Sequence, residues 1–411
     1  MKEETLTLMN DIENKIIDHL QDVRNIVTWN QEKVLAAFRY LRVGDVHFNP
    51  TTGYGYDDLG REKLEELYAA IFHTEDALVR QQMVSGTHAI STALFAILRP
   101  GDTILSLTGN PYDTLEGVIG ASKPVDGSLT DYGILYQVAG LLPNGSINYS
   151  LIEEQLKNKP KAVMIQRSRG YADRPSFHIE EIKTLIQFVK ERSPETIIFV
   201  DNCYGEFVET QEPTDVGADL IAGSLIKNPG AGIVKTGGYI AGKKYLIEKC
   251  ANRLTAPGLG KETGASLNSL QEMFQGIFLA PHTVGEALKG AYFTAQLLSD
   301  HGYKTTPSVK ETRTDLIQSI TFDDKEAMVA FAQMIQQNSP INAYVSPQPS
   351  YMPGYEHDVI MAAGTFIQGA SLELTADGPI RPPYTLFVQG GLTYEHVKIA
   401  IVQGIQALQQ K

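Results

Sequence analysis

The chain has 411 residues, 43% of them hydrophobic and 20% charged, enough to bury a sizeable core in two or three domains. Its 35 Lys and Arg against 48 Asp and Glu leave a net charge of -13, which repels phosphate backbones and argues against a nucleic-acid partner. The two cysteines, Cys203 and Cys250, exclude a disulfide framework, and no apolar run approaches the roughly 18 residues that span a bilayer.

In chain order, residues 11–26 place Ile12, Ile16, Leu20 and Val23 at helical spacing, and Val34, Leu35 and Phe38 continue the pattern until Gly44. Residues 47–60, with Gly53, Gly55, Gly60 and Pro50 among aromatics, read as a long irregular loop, and the helix REKLEELYAAIF follows. From residue 78 short β-branched runs alternate with helical stretches. GDTILSL, AVMIQ (162–166) and TIIFVD (196–201) are predicted strands, and IEEIKTLIQFVKERS between the last two is an amphipathic helix. DLIAGS (219–224) and GIVKTGGYIAG (232–242) are further short runs. Such alternation predicts βαβ units and a mostly parallel sheet covered on both faces. Beyond about residue 285 come a long helix, SITF, AMVAFAQMIQQ, the expected strands LELT and TLFVQG, and a final helix. The expected organisation is an N-terminal helical arm (1–50), a large α/β domain (51–285) and a smaller α+β domain (286–411). The N-terminus lacks the basic start and apolar stretch of a signal peptide, so a cytoplasmic location without a membrane partner is expected.

Several familiar signatures are absent. GYGYDDLG lacks GxGxxG spacing, and APGLGKETG fails as a Walker loop because Thr255 and Glu262 stand where Gly and Ser or Thr are required. There is no HExxH, no GxSxG, and no cysteine or histidine cluster to suggest a metal.

Four features remain, each at the end of a predicted strand. Ser85-Gly86-Thr87-His88-Ala89 is a small-residue turn opening a helix, where backbone N–H groups converge on the positive end of the dipole; a ligand-free turn would look the same. Tyr112 follows GDTILSL, where an aromatic ring can stack on a planar ligand, though an ordinary loop tyrosine reads alike. Asp201 ends TIIFVD, a poorly solvated carboxylate that calls for a cationic partner, or else caps the next turn. Lys227 follows DLIAGS three residues after Ser224; a partly apolar setting would lower its pKa and free the amine as a Schiff-base nucleophile, whereas a snorkelling lysine would keep its ammonium in water. Together they specify a cofactor with a phosphate, a planar ring, a ring nitrogen and an aldehyde, which is pyridoxal phosphate.

Across nearly its whole length the sequence resembles the fold-type I pyridoxal-phosphate enzymes, in the cystathionine lyase and methionine gamma-lyase branch, and within it the methionine gamma-lyase-like "aluminium resistance" proteins. The resemblance implies Ser85, Gly86, Thr87 and Ser224 at the phosphate, Tyr112 on the ring, Asp201 at the ring nitrogen and Lys227 as the imine lysine and general base. It also implies a phosphate-contacting tyrosine donated by a neighbouring subunit, for which Tyr56 is preferred over Tyr54, and hence a homodimer or homotetramer with shared active sites. Arg381 is the candidate for the substrate's α-carboxylate. The sequence departs from the pattern in three places. Ile226 stands where the family has threonine before the lysine, Arg381 is differently spaced from Gly390-Gly391, and Arg167-Ser168-Arg169-Gly170 replaces a small-residue loop. Lys235 is the rival imine lysine, but no serine lies three residues before it. The expected activity is elimination of a thiol from a sulfur amino acid, releasing ammonia and a 2-oxo acid. An aminotransferase, a lyase of a non-sulfur amino acid, or a cofactor-binding protein without turnover would share every cofactor residue. A plain α/β sugar or nucleotide binder would need none of them.

Overall fold

Two helices form the N-terminal arm, α1 (Glu3–Lys15) and α2 (Ile17–Tyr40), with Ile12, Ile16, Leu20 and Val23 buried along one face, as their spacing requires. The computed structural model describes residues 2–122, 125–170, 172, 174–352 and 355–409. Helix α3 (Leu59–Ile71) starts where the Asp58 side chain accepts the Arg61 N–H at 2.9 Å.

The large sheet is built from β1 (Asp76–Arg80), β2 (Thr103–Ser106), β3 (Leu135–Val138), β4 (Ala162–Gln166), β5 (Ile197–Asp201), β6 (Leu220–Ser224) and β7 (Gly238–Gly242). Helices α4 (Gly86–Ile97), α5 (Asp113–Ile119), α6 (Tyr149–Leu156), α7 (Ile179–Arg192) and α8 (Lys244–Leu254) connect or follow these strands. The order is β1-β7-β6-β5-β4-β2-β3, with β7 antiparallel to both neighbours and β3, β2, β4, β5 and β6 parallel. Strands β4, β5 and β6 are buried along their whole length, which explains runs that are apolar throughout. Alternate residues serve two cores. Val163, Ile165, Ile198, Val200 and Ile221 face one, and Ala162, Met164, Phe199, Leu220 and Ala222 face the other, which α4 covers with Ala89, Ile90 and Ala93. By the same parity Gln166, Asp201 and Ser224, at the carboxyl ends of three adjacent strands, emerge on the α4 side.

Helix α9 (Leu270–Asp300) then runs on to the second sheet, starting well before the stretch predicted from residue 284 and passing through Pro281. The smaller sheet is antiparallel throughout, with β8 (Lys304–Thr306), β9 (Ile317–Phe322), β10 (Val359–Ala362), β11 (Thr375–Pro379) and β12 (Tyr384–Gln389) in the order β10-β11-β12-β9-β8. Helix α10 (Lys325–Gln337) packs against it, and α11 (Tyr394–Gln409) packs on α10 and α9. The α/β class with a mostly parallel sheet and a smaller α+β unit is therefore as expected. Two elements differ. LELT is not a strand: Leu372 and Leu374 are buried from a turn, and pairing begins only at Thr375. Residues 135–138 form an edge strand that their half-exposed, non-alternating side chains did not announce. Among the described residues no helix is long and apolar enough to cross a membrane.

Candidate active site

At the carboxyl edge of the parallel strands lies a cavity of about 860 Å³. Ser85, Gly86, Thr87, Tyr112, Asp201, Ser224, Lys227 and Arg381 all line it. Tyr54, Tyr56 and Lys235 do not.

The phosphate side is the first turn of α4. The Ser85 hydroxyl is occupied as the helix cap, accepting the His88 N–H at 3.0 Å, which leaves the Gly86 and Thr87 N–H groups without helical partners. Gly86 is required for packing: a Cβ there would lie 3.0 Å from Ser224 Cβ and 3.2 Å from Cys203 Sγ, so the helix end seats directly on β6. The Ser224 hydroxyl accepts the Ile226 N–H at 3.3 Å. An anion of phosphate size has donors of this kind waiting for it and little else to occupy them.

Tyr112 is set by two bonds. Its N–H donates to Gln166 Oε1 at 3.2 Å, and its hydroxyl lies 3.2 Å from Thr87 Oγ1. Burial, reinforced by Asp201 and Cys203, pushes its phenol far above the ordinary range, so it keeps its proton at neutral pH. Asp201 takes the Cys203 N–H at 3.1 Å, and its carboxyl is raised by burial against the opposing pull of Lys227, that N–H and Arg174.

Lys227 is inside the wall, its Nζ 4.0 Å from the centre of the Tyr204 ring. Its pKa corrects an expectation from the sequence. Burial does pull it down, but Cys203, Tyr204, Tyr112 and Asp201 outweigh that and raise it above an ordinary lysine. The apolar strand before it had suggested an apolar environment, whereas the groups it meets are acidic ones from other loops. Lys235 has 77% of its side chain exposed and pairs with Glu272 at 2.7 Å. Arg381 sits in the exposed turn between β11 and β12. Tyr54 and Tyr56 stack on each other at 5.3 Å, exposed, outside the cavity of their own chain.

Sequence reasoning missed several groups. Gln166, Arg169, Arg174 and Tyr204 all line the cavity. Arg174 donates to the carbonyls of Thr108 and Ser168, both at 2.6 Å, and burial lowers its pKa to about 10. Arg167 points the other way, into a buried network with Asn202, Glu209 and Glu212 at 2.8–3.3 Å. Glu206 lies below Lys227: its carboxylate accepts the Tyr239 hydroxyl at 2.8 Å, its carbonyl accepts from Asn228 at 2.9 Å, and burial raises its pKa to about 8. The available signal was three arginines within eight residues of a buried strand end.

A parallel sheet with a lysine and a buried carboxylate at its carboxyl edge, completed by a smaller α+β unit, is the architecture of the fold-type I pyridoxal-phosphate enzymes, and solved structures of that class share the fold. The chain belongs to the methionine gamma-lyase family, whose model matches residues 5–409. The uncharacterized protein YnbB of Bacillus subtilis (strain 168) is 57% identical over 402 residues, 98% of this chain and 96% of its own length. A structure from Listeria monocytogenes, described provisionally as a cystathionine beta-lyase involved in aluminum resistance, is 60% identical with a TM-score of 0.96, covering 98% of this chain and 99% of its own. A carbon-sulfur lyase involved in aluminum resistance from Clostridium novyi NT is 47% identical with a TM-score of 0.94, covering 99% of this chain and 96% of its own.

Proposed function

We propose that this chain is a pyridoxal-phosphate-dependent carbon-sulfur lyase that cleaves a sulfur amino acid to a thiol, ammonia and a 2-oxo acid. The observation that carries the reading is Lys227, half-buried on the cavity wall where the charge of buried Asp201 reaches it. The residues fit the cofactor: Gly86 and Thr87 N–H groups and the Ser224 hydroxyl for its phosphate, Tyr112 for its ring, Asp201 for its ring nitrogen, Lys227 for its aldehyde. The close seating of Gly86 on Ser224, which a Cβ would disturb, brings the start of α4 and the Ser224 hydroxyl to the same end of the cavity and supports that placement. Bound there, pyridoxal phosphate would supply an electron sink for the substrate's α-carbon.

The protein's own part is proton transfer. Lys227 Nζ is placed to take the α-proton once it has given up its own, which Cys203, Tyr204, Tyr112 and Asp201 otherwise hold on it. The C–S bond at the β-carbon then breaks as the α,β-double bond forms, or, for sulfur on the γ-carbon, Lys227 also carries a β-proton to the carbon the sulfur leaves; the departing sulfur takes a proton from the Tyr112 hydroxyl, which burial keeps protonated. Water then hydrolyses the unsaturated amino acid to ammonia and the 2-oxo acid. The exposed Tyr54–Tyr56 stack supports a homodimer or homotetramer in which Tyr56 reaches a neighbouring copy's phosphate; light scattering that found an active monomer would remove that part.

The test is the visible spectrum of the protein with pyridoxal phosphate, borohydride reduction with peptide mapping, and product analysis with cystathionine and methionine. A band whose reduction labels Lys227, with ammonia formed in the absence of any 2-oxo acceptor, is expected. No band, or a label on Lys235, or turnover only with a 2-oxo acceptor overturns it.

A further inference from the structure

Arg169 is the cavity's unsettled charge. It stands on the loop after β4, is 3% exposed and lines the cavity. Its Nη1 donates to the Thr306 carbonyl at 3.0 Å and meets Ser319 Oγ at 3.4 Å. Its Nε is buried without a hydrogen-bond partner. Nor does any carboxylate among them lie within ion-pair distance; Glu311 feels its charge, but from beyond that range. Asp315 is close, yet it takes the backbone N–H of Arg169 at 3.2 Å and the Ser168 hydroxyl at 2.9 Å and does not pair with the guanidinium.

A buried guanidinium without a counter-charge is unstable unless an anion completes it. Nε and Nη2 are the two donors along one edge of the guanidinium, and that edge matches the two oxygens of a carboxylate. Arg174, also on the wall, is spent on backbone carbonyls, and Arg381 is exposed to water, where an ion pair is weak. We propose that Arg169, braced by Asp315, Thr306 and Ser319 of the small α+β unit, clamps the α-carboxylate of the amino-acid substrate. The proposal rests on the lyase reading and assigns to the strand-end loop a role the sequence had given to Arg381.

The experiment titrates the cofactor-loaded protein with glycine and with methylamine, following the shift of the visible band that each amine causes. The two ligands differ by the carboxylate. In Arg169→Met the glycine half-saturation rises by about tenfold or more, the scale of a lost charge-assisted pair, while methylamine stays within about twofold. Arg381→Met costs less in the same titration. Arg169→Lys, which keeps the charge and a reach to Thr306 but loses the fork, gives a smaller loss confined to glycine, and serves if the methionine variant does not fold. An equal loss for both ligands marks a merely structural residue and overturns the proposal, as does a larger selective loss in Arg381→Met. A wild-type protein that forms no band removes the lyase reading and this proposal with it.

Discussion

The two sheets serve the cavity by different means. In the larger one β4, β5 and β6 are parallel, so their carboxyl ends fall on one edge, and side-chain parity turns Gln166, Asp201 and Ser224 to one face. In the smaller one every neighbouring pair is antiparallel and strand ends alternate, and what reaches the cavity comes from loops and turns: residues 355–357 before β10, Gly369, and the β11–β12 end with Pro379 and Arg381. It also contributes indirectly, through Asp315, Thr306 and Ser319 holding the loop that carries Ser168 and Arg169. Parallel topology gathers reacting groups. The antiparallel unit orients a loop that another sheet supplies.

That division of labour can be broken at several points. Lys227→Ala removes the proposed proton carrier from the parallel edge, and turnover falls by at least about 10³-fold in a steady-state assay with unchanged folding by circular dichroism. Asp315→Ala attacks the brace: the loop loses two hydrogen bonds, and KM rises by about tenfold while kcat changes less. A kcat loss as deep as that of Lys227→Ala would erase the distinction between the two sheets.

Glu206 tests the layer under the cavity. Its carboxyl is raised from 4.5 to about 8, so the folded chain holds a proton that the unfolded chain has released. Stability therefore declines as pH rises across that window and levels off above it. Glu206→Gln keeps the acceptor for Tyr239 and removes the titration, so its Tm exceeds the wild type by a few degrees at pH 9 and matches it near pH 5 in a thermal-shift series. Lys235→Ala is the smallest change expected, within about twofold in turnover, because it breaks only an exposed pair with Glu272.

Much of the parallel edge was legible because it is local: an apolar run ending in Asp201, another leading to Ser224 and Lys227, a small-residue turn before a helix. Each announces its place without knowledge of the other chain segments. The pKa of Lys227 was not legible, since it depends on Cys203, Tyr204 and Tyr112 arriving from other loops. Arg169 was visible only as a mismatch, because what distinguishes it from Arg167 is the set of partners each meets: carboxylates for one, a carbonyl and a hydroxyl for the other. In the smaller sheet TADGP forms a strand although Asp, Gly and Pro disfavour it, so pairing with β12 and β10 decided what propensity argued against.

Helix α9 carries the chain from one sheet to the other without a linker. At 31 residues it is a rod of about 46 Å, and α2 lies along it so closely that a Cβ at Gly285 would come within 2.3 Å of Val27. Pro281 lacks the N–H that would bond back to Ile277, so this rod has one weak section, four residues from the close contact with the arm. Any rotation of the smaller sheet against the larger has its easiest axis at that section, and the arm, clasped beside it, acts as a splint on the joint.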